Sequence, residues 1–174
     1  MTQNSRLTTN DIAFIGLCSE YCAAIEGAAE TMREDFIESM LKLLPRIYIA
    51  ASAIDVTPMV EDFYLDSALE EDYYDSVRRS IEALMGSDDT YLEVFEEDMK
   101  YSDSPIGASV AEGLSDIFQV FYNFLATVRN APDSIVDEAL AAIAGDFGPY
   151  WGQTVCNLMR PLHNIRYQSV SDDF

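Results

Sequence analysis

Apolar residues recur at spacings of three and four along most of the chain, the signature of helices buried along one face. Ile12, Ile15, Cys18 or Ser19, Cys22 and Ile25 define the first such stripe, and Thr8-Thr9-Asn10-Asp11 ahead of it offers candidate N-caps. Thr31-Met32-Arg33-Glu34 reads as a capping box, in which a hydroxyl and a carboxylate three residues apart satisfy each other's backbone N–H groups. The helix it opens carries Phe36, Ile37, Met40, Leu41, Leu44, Ile47, Tyr48 and Ala51, an apolar arc wide enough for the centre of a core. Pro45 lies inside it and is expected to kink it. Residues 55–67 show no period and include Pro58, which predicts a connection. Ser67-Ala68-Leu69-Glu70 is a second capping box, followed by Leu69, Tyr73, Val77, Ile81 and Leu84 and closed by Gly86.

The second half continues in the same period. A short helix is predicted around residues 89–99. Ser104-Pro105 reads as an N-cap with proline at the first helical position, opening a helix to about residue 129 through Ile106, Val110, Leu114, Ile117, Phe121, Phe124 and Val128. Ala131-Pro132-Asp133 breaks it. Ser134 begins another helix with Val136, Leu140, Ile143 and Phe147. Gly148-Pro149 reopens the chain as a last helix carrying Trp151, Val155, Leu158 and Leu162, which Pro161 kinks or ends. No strand alternation competes with these periods. The expectation is an all-α protein, an irregular antiparallel bundle of six to seven helices. It forms one domain over residues 1–174, with an ordered core of about 8–167 and frayed ends.

Charge narrows the partners. The chain has 10 Lys+Arg against 31 Asp+Glu, a net −21. Nucleic-acid binding depends on cations that displace phosphate counterions, and an anionic membrane surface demands the same, so neither is expected. A basic protein partner fits. The polar stretch 1–10 has no apolar signal core, no run is long enough to span a bilayer, and the three cysteines form no disulfide framework. These features predict a cytoplasmic protein, and they leave its oligomeric state open.

Several segments carry a resemblance: Leu43-Leu44-Pro45-Arg46-Ile47-Tyr48, Asp88-Asp89-Thr90-Tyr91-Leu92, Tyr101-Ser102-Asp103-Ser104-Pro105-Ile106, and Tyr150-Trp151-Gly152-Gln153 through Arg160-Pro161-Leu162-His163. In that order the chain resembles an uncharacterised bacterial family known only as a domain of unknown function. The resemblance implies an all-helical domain and supplies no activity.

Candidate chemistry is sparse. A di-iron bundle needs Glu-x-x-His pairs, and the single histidine, His163, is preceded three residues earlier by Arg160. Cys18, Cys22, Cys156 and His163 could form a zinc tetrahedron, although two of them lie on an apolar stripe where cysteine behaves as a small hydrophobe. Glu93 and Glu96 have the first spacing of a helical magnesium-dependent nucleotide pyrophosphatase. Glu112 and Asp116, four apart where that motif has three, still share a helix face and could hold hydrated Mg²⁺. Ser109, Glu112, Asp116, Gln119 and Asn123 form a polar stripe. Were it to face the last helix, Arg160 could pair with Asp116 or Glu112, and His163 could act as acid or base. A partly buried salt bridge that fixes helix register, or two independent solvated faces, explains the same residues, and no cofactor is called for.

The strongest local feature is acidity. Residues 55–103 contain 16 acidic and 3 basic residues, interleaved with tyrosine and phenylalanine. Within it Glu61, Asp62, Tyr64, Asp66, Glu70, Glu71, Asp72, Tyr74 and Asp75 are the candidate docking face, since tyrosine contributes contact area at low entropic cost. An ordinary amphipathic segment with inward aromatics is the competing reading. Two functions follow: a noncatalytic interaction or regulatory module with an acidic face, or a phosphate-ligand binder or metal-dependent hydrolase built on the carboxylates.

Overall fold

The computed structural model describes residues 7–93 and 106–168. Glu96, Ser104-Pro105, most of the 89–99 segment and both expected frayed ends fall outside them.

Helix α1 spans Thr9–Glu26, α2 Arg33–Ser52 and α3 Glu71–Met85. After a short hairpin of β1 (Thr90–Glu93) and β2 (Ile106–Ser109) come α4 (Val110–Val128), α5 (Asp133–Asp146) and α6 (Gly152–Gln168). The chain is therefore mostly helical with one small strand pair. The π turn Phe147–Trp151 joins α5 to α6 without a break, so the described residues make five separate helical rods. The expected six to seven counts that last run twice and adds a helix where β1 lies.

Packing is organised round α4. It lies against α1, α3, α5 and α6, while α2 covers α1 and α6. Phe121, at the centre of α4, is fully buried; its ring centroid lies 6.1 Å from Phe14, 5.3 Å from Tyr21 and 5.2 Å from Trp151. The Tyr21 hydroxyl donates to Leu114 O at 2.6 Å, and Trp151 Nε1 donates to Ile143 O at 2.9 Å. The indole reaches back along the helix to a carbonyl eight residues earlier, a contact made across the π turn. Gly152 permits the π turn: a Cβ there would meet Phe147 O at 2.3 Å.

Several local expectations change. The first stripe is rotated: Phe14, Leu17, Cys18, Tyr21, Cys22 and Ile25 are buried, whereas Ile12 is 60% exposed. Thr8 does cap α1, in a reciprocal box with Asp11. The Thr31 box does not form: Thr31 Oγ1 donates to Gly27 O, and α2 starts without a side-chain cap. Both prolines are accommodated inside continuous helices, and α6 does not end at Pro161. The Ser67 box is likewise absent, because Asn123 Oδ1 of α4 accepts from the backbone N–H groups of Ala68 (3.0 Å) and Leu69 (2.9 Å).

The largest correction concerns residues 90–93 and 106–109, which pair as antiparallel strands from Thr90–Ser109 to Glu93–Ile106. Helix α4 begins at Val110, with Ser109 Oγ accepting from Glu112 N. Asp89 completes this start from across the hairpin. It is buried; Oδ1 accepts Ala111 N at 2.8 Å, Oδ2 accepts Ser109 Oγ at 2.6 Å, and its backbone carbonyl accepts Val110 N at 2.8 Å. A carboxylate at a helix N-terminus satisfies otherwise orphaned N–H groups and complements the dipole.

Candidate functional site

Two places gather the candidate residues. The first is a polar cleft of about 390 Å³ bounded by the hairpin, the first turns of α4 and the start of α6. Glu93 reaches it from β1, Glu112 and Asp116 from successive turns of α4, and Tyr150, Gln153, Thr154 and Asn157 from the π turn and α6. Asn157 Nδ2 donates to Glu93 Oε1 at 2.6 Å, and the Tyr74 hydroxyl donates to Asp116 Oδ1 at 2.6 Å. The first part of the α4 polar stripe, Ser109, Glu112 and Asp116, thus shares a cleft with the Gln153–Asn157 side of α6, whereas Asn123 at its far end faces the α2–α3 connection.

Arg160 lies beyond that bond, in a neighbouring cleft of about 400 Å³ with Leu92, Cys156 and Asn164. His163 is exposed and lies against Tyr167, the two rings tilted with centroids 4.7 Å apart. Neither forms an ion pair with Glu112 or Asp116. Among the described residues no group of three or more His, Cys, Asp or Glu side chains is arranged to hold a metal ion. Cys18 and Cys22 are buried and Cys156 is exposed. Burial, with Cys22 beside it, pushes the Cys18 thiol well up; burial, with Glu26 adding to it, pushes Cys22 up to about 12. Both therefore stay thiols, the form that neither attacks nor ligates.

Asp116 is the electrostatically tense member of the cleft. Burial and the neighbouring Glu112 raise its pKa from the ordinary aspartate value, against the lowering effect of the Tyr74 hydrogen bond. A carboxyl raised in the folded state stabilises the fold fully below its unfolded pKa, about 3.9, and loses that contribution as pH rises through the folded value. Asp116→Asn keeps an acceptor for Tyr74 and removes the charge. Melting curves across pH are expected to show the variant gaining on the native chain between pH 4 and pH 7. An equal difference at both ends contradicts the assignment.

The second place is the connection between α2 and α3 with the start of α3. Glu61, Asp62, Tyr64, Asp66, Glu70, Glu71 and Asp72 are exposed, and Tyr74 and Asp75 are half-buried. Tyr74 turns inward to Asp116 and Asp75 pairs with Arg78, so these two contribute less outward surface than the sequence suggests. Exposed apolar residues join the acidic ones: Met59 is 85% exposed, Tyr64 78% and Val60 54%. The segment is irregular yet pinned. Met59 N–H donates to Glu138 Oε1 at 2.7 Å, Asp66 N–H to Thr127 Oγ1 at 2.8 Å, and Ala68 and Leu69 to Asn123. Asp62 takes a left-handed conformation (φ 58°), which aspartate tolerates.

Sequence reasoning missed Met59, Val60 and Glu138. An adjacent apolar pair after Pro58, in a stretch with no period to bury it, was a usable signal for the first two. Glu138 carried none, because its place under the loop depends on tertiary packing.

No helix among the described residues is long and apolar enough to cross a membrane. The chain is similar to the protein BF1032 from Bacteroides fragilis, known from a crystal structure. The two are 27% identical, with a TM-score of 0.78 over 91% of this chain and 93% of that one. No curated protein matches the chain. The family model Domain of unknown function (DUF5063) matches residues 5–168, and with nearly the whole chain covered, this protein belongs to that family.

Proposed function

We propose that the chain is a single-domain, noncatalytic interaction or regulatory module of the cytoplasm, which docks a basic segment of another protein on the face formed by residues 59–72. The observation that carries this reading is an exposed, irregular segment held at three points by Glu138, Thr127 and Asn123. Holding a loop in one shape before binding removes ordering cost from association. Its surface suits a basic amphipathic partner: Met59, Val60 and Tyr64 offer apolar contact, and the surrounding carboxylates offer steering and register. Among exposed residues of this face, cations are absent between Asp55 and Ser76.

A photoreactive amino acid at position 64 tests it in cells of the source organism. One cross-linked protein is expected, with a lysine- and arginine-rich peptide at the junction. No cross-link, or a junction peptide without basic residues, overturns the assignment.

A second reading, a binder or hydrolase of phosphate ligands, rests on Glu93, Glu112 and Asp116 lining one cleft, although the three are not arranged to hold a metal ion by themselves. A bound divalent cation would raise the melting temperature. The interaction reading expects no shift with millimolar Mg²⁺ or Mn²⁺, and a clear rise favours the second.

A further inference from the structure

Two buried side-chain polar atoms lack a hydrogen-bond partner among the described residues, Ser115 Oγ and Glu138 Oε2. The serine is in the second turn of α4. The glutamate is the more consequential, since a buried carboxylate oxygen without a donor is costly. Glu138 is 6% exposed, and its other oxygen already accepts the Met59 N–H. Two oxygens of one carboxylate share a carbon, so the unsatisfied one lies close to the backbone of Met59, the residue with the most exposed apolar side chain of the docking face.

We infer that Glu138 is the anchor of that face, receiving the guanidinium of an arginine from the basic partner. The inference rests on the docking reading and names the chemistry of its central contact. A carboxylate offers about four lone-pair positions, of which the loop amide uses one. A guanidinium can take Oε2 and the second lone pair of Oε1 in fork geometry. Arginine suits a buried acceptor better than lysine, being planar, more weakly hydrated and charged at all relevant pH. Glu138 Oε2 is sealed from solvent, so entry requires the segment that carries Met59 to move aside. The surrounding Glu61, Asp62 and Asp66 draw the cation to that segment, and Glu138 discriminates once it arrives.

The test is an NMR titration of the isotope-labelled full chain with tetra-arginine and with tetra-lysine peptides. Tetra-arginine is expected to move the Met59 amide and the Glu138 side-chain carboxyl resonance, binding about tenfold tighter than tetra-lysine. Glu138→Gln, which retains an acceptor for Met59, is expected to erase that preference. The peptide comparison on the native chain stands without the variant, should the variant fold poorly. Equal affinity of the two peptides, with shifts confined to residues 61–72, overturns the anchor and leaves the face standing. Shifts elsewhere, or no binding, overturn the face and the anchor with it.

Discussion

Phe121→Ala is expected to lower the unfolding free energy by about 3–5 kcal/mol, the range for removing a fully buried phenylalanine. The position deserves the upper part of that range because its ring meets three other aromatic rings, those of Phe14, Tyr21 and Trp151, on α1 and at the π turn. These surroundings are rigid: Tyr21 and Trp151 are fixed by hydrogen bonds to Leu114 and Ile143, so the site has little freedom to collapse round the cavity. Trp151 is the sole tryptophan, and its fluorescence reports the loss directly in urea titrations. Tyr64→Ala, at an exposed position, is the control and is expected to change stability by less than about 0.5 kcal/mol. Similar costs for the two substitutions would contradict the core described above.

Asp89→Ala is expected to cost about 2–3 kcal/mol, although it removes few atoms. The carboxylate is buried, and its loss leaves the Ala111 N–H in the core without an acceptor and frees the Ser109 hydroxyl from the hairpin. It also withdraws a negative charge from the start of α4. Asp89→Asn retains one acceptor and is expected to cost about half as much, which separates hydrogen bonding from charge. Chemical denaturation of both variants supplies the numbers. An alanine variant as stable as the native chain would show that the hairpin does not brace the helix.

How these features read from sequence follows the range of the interactions that make them. The stripes of α2 and α3 are legible in the main because each helix has one apolar side and a polar opposite, although Tyr48 is 41% exposed and Leu43 and Met85 join the core beside them. That of α1 was misplaced, since Ile12 and Ile15 match the period as well as Phe14 and Tyr21 do. The hairpin was missed for a local reason. Four-residue strands offer only two alternations, and Ser104-Pro105 supplied a plausible helix start upstream. The true signal, Ser109 followed three residues later by Glu112, was present and is the same pattern that misled at Thr31 and Ser67. A capping pattern states only that a helix can start there. Which start is used depends on distant groups such as Asp89 and Asn123, whose positions no local pattern encodes. The same holds for the cleft: the α4 polar stripe was legible, but the cleft its first part shares with Asn157 and Thr154 was not.

Cross-linking from position 64 in a chain carrying Glu61→Gln, Asp62→Asn, Asp66→Asn, Glu70→Gln, Glu71→Gln and Asp72→Asn tests the docking face most directly. Asparagine suits the left-handed backbone at position 62, and the other five side chains are exposed, so the variant is expected to stay folded, the lost charge at the start of α3 being offset by reduced self-repulsion, which a melting curve checks. The account predicts that the basic partner's cross-link disappears from this intact variant. A cross-link that persists at native yield would contradict it.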